Sequence, residues 1–127
     1  MFKRKFQAVS LALALVLVTA PLALAGSTYD RVMKTKVIRC GLMTDSIPGG
    51  FYNAKKQWVG FDVDIAEEIA HRLGAKLERV PVTNKTRIAF IQEGRIDMSA
   101  ANMTHKRERD KSIDFSITYF FDGQKIL

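Results

Sequence analysis

The chain has 127 residues, length for one small domain, with 20 Lys+Arg against 13 Asp+Glu. Lys3, Arg4 and Lys5 sit in the first six positions, so residues 26–127 carry +4 of the formal +7, spread along the chain, which speaks against a nucleic-acid partner. The single cysteine, Cys40, excludes an internal disulfide, and no Cys/His spacing points to zinc or another metal.

The chain opens on the basic "MFKRKF". An apolar run over 8–20 follows, broken only by Ser10 and Thr19, then the helix breaker Pro21 and the small-residue pattern Ala23-Leu24-Ala25. This is the layout of a secretory signal peptide, 1–25, cleaved after Ala25. A membrane anchor is the alternative, but the run is short for a span and Pro21 ends it. No cysteine stands at the cleavage site, which argues against a lipid anchor.

"KVIRCGLM" (36–43) reads as a strand, with Cys40 a small buried strand residue. "TDSIPGGFYNAKKQ" (44–57) is rich in turn residues and reads as a loop. In "GFDVDIAEEIAHRLG" (60–74), Ile65, Ala66, Ile69, Ala70 and Leu73 fall on one helical face, and Gly74 stops the helix. "AKLERVPV" (75–82) alternates as a strand. "NKTRIAFIQEG" (84–94) reads as a short helix capped by Asn84, and "IDMSAANM" (96–103) as a third strand. "KRERDKS" contains a helical turn, and "FFDGQKIL" closes the chain as a further strand. Val37, Ile38, Ile65, Ile69, Leu73, Leu77 and Val80 are the expected core. The order β-α-β-α-β predicts an α/β fold with a mostly parallel sheet and flanking helices. Ligands of such sheets sit beyond the carboxyl ends of the strands, here the loops 44–53, 83–86 and 102–109.

Asp62, Asp64, Glu67 and Glu68 all fall early in the first of these helices. Negative charge there complements the helix dipole, at about 0.3–1 kcal/mol each. A metal site or an acid/base pair would need ligands converging from elsewhere, and none stands out.

The same stretch resembles the signature of family 3 bacterial extracellular solute-binding proteins, soluble receptors of ATP-binding-cassette amino-acid importers. "RIAFIQEGRIDM" and "MTHKRERDKSIDFSITYF" are similar to two further family segments, in the family order. The resemblance runs from about residue 36 to 127 and implies a periplasmic-binding-protein-like type II fold, first lobe only, over 26–127. It implies a periplasmic receptor whose partners are an amino acid and, when full length, a membrane permease, with no cofactor and no nucleic acid.

The family holds the ligand α-carboxylate on an arginine fork, which donates two parallel hydrogen bonds. The matching position is Arg109; Arg107 stands where proline is usual. Thr104 would donate its hydroxyl or backbone N–H to the same carboxylate. Asn102, often glycine or another small residue in the family, would accept from the ligand ammonium through its carbonyl. His105 and Lys106 are expected outside the cleft, with no catalytic role for His105. "VTNKTRIAF" resembles the subgroup for acidic or amide amino acids, in which Asn84 and Arg87 line the side-chain pocket; many other relatives have an aromatic residue at 84. Phe51 or Tyr52 would cover the ligand stem, and Asp45 would help bind its ammonium.

The resemblance stops at the first strand leaving the first lobe, so the chain is expected to be a fragment without its second lobe. Half a cleft should bind no ligand tightly. An enzyme on the same scaffold, dehydratase-like, and an extracellular sensory module are the alternatives. The exported product is expected to begin at Gly26, and mass spectrometry of secreted protein should find that end and no intact "MFKRKF".

Overall fold

The computed structural model describes residues 27–121 and residue 123; the expected signal peptide, 1–25, lies outside them. The elements are α1 (Thr28–Thr35), β1 (Val37–Leu42), β2 (Asp45–Ser46), β3 (Gly50–Tyr52), β4 (Trp58–Val59), α2 (Phe61–Arg72), β5 (Lys76–Pro81), α3 (Arg87–Gln92) and β6 (Met98–Ala100). β5, β1 and β6 form one parallel sheet in that order. Leu42 sits opposite Pro81 on one side and Ala100 on the other, so all three strands end at the same edge. β2, β3 and β4 form a small antiparallel sheet.

The β-α-β-α-β order stands, with shorter strands and helices than expected. Three differences are physical. α1, short and mostly polar, was not expected; Ser27 caps it by accepting from the Asp30 N–H at 3.2 Å, and Lys36 ends it in the left-handed conformation. The expected loop 44–57 folds into the small sheet, closed by Trp58, whose indole N–H donates to the Met43 carbonyl at 2.7 Å. Asn84 is not the cap of α3: Thr83 and Thr86 close the turn before it, Thr83 N–H donating to Thr86 Oγ1 and Thr86 N–H to Thr83 Oγ1. The closing strand falls largely outside the described residues, and residues 118–121 join no sheet.

The core differs as well. Cys40 and Leu42 of β1 pack with Val63, Ala66 and Ala100; Val32, Ile38 and Ala70 form a second cluster, and Met43, Val82, Ile96 and Ala101 a third under the strand ends. Of the seven expected core residues only Ile38 is fully buried, and Ile69 is exposed. The reason is that α2 lays its small side chains, Ala66 and Ala70, on the sheet, which brings the helix close and turns Ile65 and Ile69 to its flank. Burial pushes the Cys40 thiol up to about 12, so it stays protonated at neutral pH.

The four carboxylates divide by position. Only Asp62 and Asp64 lie in the first turn of α2, and no side chain caps it. Instead Phe61 N–H donates to the Pro48 carbonyl and Asp62 N–H to that of Gly49, at 3.0 and 2.8 Å. Gly60 has φ +132, and a Cβ there would collide with the Gly49 carbonyl, so only glycine fits. Glu67 pairs with Arg79, and Glu68 with Arg72 at 2.6 Å, so these two brace the helix surface rather than start it.

Asp97, just before β6, clasps α1 to the sheet. Its side chain is 3% exposed, receives the Arg39 fork at 2.8 and 3.2 Å and the Arg39 N–H at 2.8 Å, and pairs with Arg31 of α1. Burial opposes its ionisation, but these bonds and the Arg39 charge outweigh it and hold its pKa below the ordinary 3.8. The unfolded chain therefore binds the proton more readily, and the clasp contributes fully above the ordinary carboxyl range and is lost as pH falls through the lower folded value. Asp97→Asn should cost about 1.5–3 kcal/mol at neutral pH. Urea unfolding should show that difference shrinking in acid; a pH-independent difference would contradict the clasp.

Candidate functional site

The shared carboxyl edge of β1, β5 and β6 gathers the loops that follow them. The turn after β5 leads into α3, whose first residue is Arg87. Its side chain is 5% exposed, so it is no surface residue. Nη1 donates to the carbonyl of Ala101 and, at 3.1 Å, to that of Asn102. Its Nε is buried without a partner among the described residues. Burial, then the nearby charge of Arg109, lowers its pKa.

Asn102 has φ +50, the left-handed region that Asn adopts more readily than most side chains. Thr104 is exposed, and Arg109 Nη1 donates to its carbonyl at 2.6 Å. Arg109 sits on a turn in which its N–H bonds the Lys106 carbonyl and its own carbonyl accepts from Ser112 and Ile113. Residues 101–104 are thus bracketed by two guanidinium groups, neither of which meets a carboxylate among the described residues. The backbone N–H groups of Asn102, Met103 and Thr104 have no acceptor among them either. Two guanidinium groups without a carboxylate partner and three N–H groups without an acceptor among the described residues thus converge on this loop.

Arg87, Asn102, Thr104 and Arg109 therefore come together. Asn84 is exposed on the turn before α3 and makes no hydrogen bond to the other four. Arg107 is exposed. Asp45, Phe51 and Tyr52 lie on the small antiparallel sheet. Sequence reasoning missed Ala101, whose role is a backbone carbonyl that no side-chain pattern marks.

A groove of about 1020 Å³ adjoins the loop, lined by β6, the Ile65–Ile69 flank of α2, Asn102 to His105 and residues 113–121. His105 lines this groove; its ring stacks on Phe115 at 4.6 Å and bonds Asp110 at 2.6 Å. Buried Asp62 accepts from the Tyr119 hydroxyl at 3.0 Å, and burial followed by the Asp62 charge raises the Tyr119 pKa. Among the described residues no three His, Cys, Asp or Glu side chains could hold a metal ion.

Residues 38–127 match the model of bacterial extracellular solute-binding proteins, family 3. The chain belongs to this family. Among curated relatives of family 3 proteins, the glutamate/aspartate import solute-binding protein of Salmonella typhimurium is 32% identical over 110 residues, 81% of this chain and 36% of that protein. Cyclohexadienyl dehydratase of Pseudomonas aeruginosa is 32% identical over 115 residues, 91% of this chain and 43% of the enzyme. The chain thus spans less than half the length of these relatives. Domain 1 from TmArgBP, the ArgBP of T. maritima, solved in an arginine-bound form, matches with TM-score 0.69 and 37% identity, covering 72% of each chain. The fold is α/β, periplasmic-binding-protein-like of type II, as the resemblance implied. The family is mainly one of non-enzymatic solute-binding proteins, with a dehydratase among the relatives.

Because Asn102 occupies a left-handed position, Asn102→Val should strain the loop by about 1–3 kcal/mol while Asn102→Gly is tolerated. Chemical denaturation of the two variants checks this, and equal stability would contradict the backbone assignment.

Proposed function

We propose that this chain is the amino-acid-binding first lobe of a periplasmic receptor serving an ATP-binding-cassette importer. The observation that carries the reading is the pair of uncompensated guanidinium groups around residues 101–104. The ligand α-carboxylate docks on the Arg109 fork and the Thr104 N–H or hydroxyl, while the Asn102 carbonyl accepts from Arg87. Asn84, on the turn before α3, bounds the side-chain end, and Arg87 lies under the loop. The lack of an aromatic ring at 84 and the surplus positive charge favour a polar or acidic amino acid, and the glutamate/aspartate relative supports this. Export by a signal peptide over 1–25 and a permease partner belong to the same proposal.

One lobe supplies half of the contacts while the loss of translational freedom is undiminished, so binding is expected to be weaker than about 0.1 mM. The arginine-bound domain 1 of TmArgBP supports measurable binding by a first lobe. A second reading, an enzyme on this scaffold, is favoured by the dehydratase relative.

Arg109→Ala should remove about 2–5 kcal/mol of binding free energy, which abolishes detectable binding. Arg107→Ala, on an exposed side chain, should cost under about 0.5 kcal/mol. Calorimetric titration with glutamate, aspartate, glutamine and arginine tests this. Equal losses for the two variants would overturn the Arg109 assignment, and arginine binding tighter than glutamate would overturn the ligand class.

A further inference from the structure

We propose that Arg87 is a positioning residue, whose guanidinium fixes the course of residues 101–104 from beneath instead of touching the ligand side chain. The proposal deepens, and rests on, the reading of that loop as the carboxylate-binding turn.

A guanidinium has five donors and no acceptor, and burying one is costly unless its donors are used. In Arg87 the used donor is Nη1, and both its acceptors are backbone carbonyls, of Ala101 and Asn102. In an extended chain successive carbonyls point to opposite sides. For two consecutive ones to reach a single nitrogen, the residue between them must turn, and that residue is Asn102, at φ +50. The two observations, one nitrogen donating to successive carbonyls and a left-handed residue between them, therefore describe one device.

Its consequence lies on the opposite side of the loop. A trans peptide directs its N–H away from its C=O. Drawing the carbonyls of Ala101 and Asn102 onto Arg87 therefore turns out the N–H groups of Asn102 and Met103 together. These groups have no acceptor among the described residues. Successive outward amides make an anion-binding concavity. Arg109 holds the far end of the same loop through the Thr104 carbonyl, leaving its other donors for the ligand. One arginine shapes the turn and the other binds at it.

A side-chain contact and a positioning role differ in selectivity. If Arg87 met the ligand side chain, its loss would weaken glutamate and aspartate alone. If it shapes the turn that takes the carboxylate shared by all amino acids, the loss is common to all. Arg87→Met, measured on protein verified as folded, should weaken glutamate, glutamine and arginine by about tenfold or more, the factors agreeing within about threefold. Arg87→Lys, which keeps a buried cation without the planar fork, should show the same uniform pattern with smaller factors, and serves if the Met variant does not fold. Without ligand, the backbone carbon shifts of residues 101–104 should move in Arg87→Met, with loss of the left-handed signature of Asn102. Losses confined to acidic ligands, or unmoved loop shifts, would overturn the proposal. Moved loop shifts in a protein whose parent binds none of these amino acids would uphold the positioning role and refute the receptor reading.

Discussion

β1 is hydrogen-bonded along both edges, and both neighbours run parallel to it. Everything at the candidate site depends on that arrangement. Parallel neighbours must return by crossovers, so the outgoing loops of all three strands share one end. Gly41 allows a close fit: a Cβ there would stand 2.6 Å from Ile96 and 3.0 Å from Val82, so the loop after β5 and the approach to β6 pack directly on β1. Under this end, Met43, Val82, Ile96 and Ala101 form an apolar floor on which the turn into α3 and the 101–104 loop both rest.

The loop above this floor explains how a buried arginine is tolerated. Arg87 gives up hydration and gains no carboxylate, an arrangement that costs stability. Peptide dipoles of the next loop offset part of the loss, and the neighbouring Arg109 adds repulsion that an incoming anion would relieve. Asp97 shows the contrasting use of charge. There two arginines neutralise one buried carboxylate with its hydrogen bonds satisfied, and the product is attachment of α1 to the sheet. At Asp97 the arginines meet a carboxylate and hold the lobe together; around residues 101–104 the two guanidinium groups meet none among the described residues.

The sequence made the alternation of strands and helices legible through the apolar runs of β1, α2 and β5 and the turn residues between them, and the resemblance named Asn102, Thr104 and Arg109 through motif spacing. Three things were not legible, each for a reason. α1 is only eight residues long, mostly polar, and buries only Val32, so its short stripe of Tyr29, Val32 and Met33 went unread. The β2–β4 sheet is built from strands of two or three residues, too short for period-two patterning to rise above the turn residues around them. The helix stripe led to the large Ile65 and Ile69, whereas contact with the sheet belongs to alanines, because helix-to-sheet distance is set by the smallest side chains between them. At the site, a polar or charged residue beginning a short helix reads as solvated, so the burial of Arg87 became visible only with the carbonyls above it.

The central claim, that residues 101–104 and Arg109 take an amino-acid carboxylate, is tested most directly by mapping where a ligand touches the folded chain. In a heteronuclear NMR titration with glutamate, the account predicts saturable shifts concentrated in the amides of Asn102, Met103 and Thr104 and in the Arg109 side-chain Nε–H. Saturable shifts confined to α2 and residues 113–121, with the 101–104 amides and Arg109 unmoved, would place the ligand in the adjoining groove and contradict it.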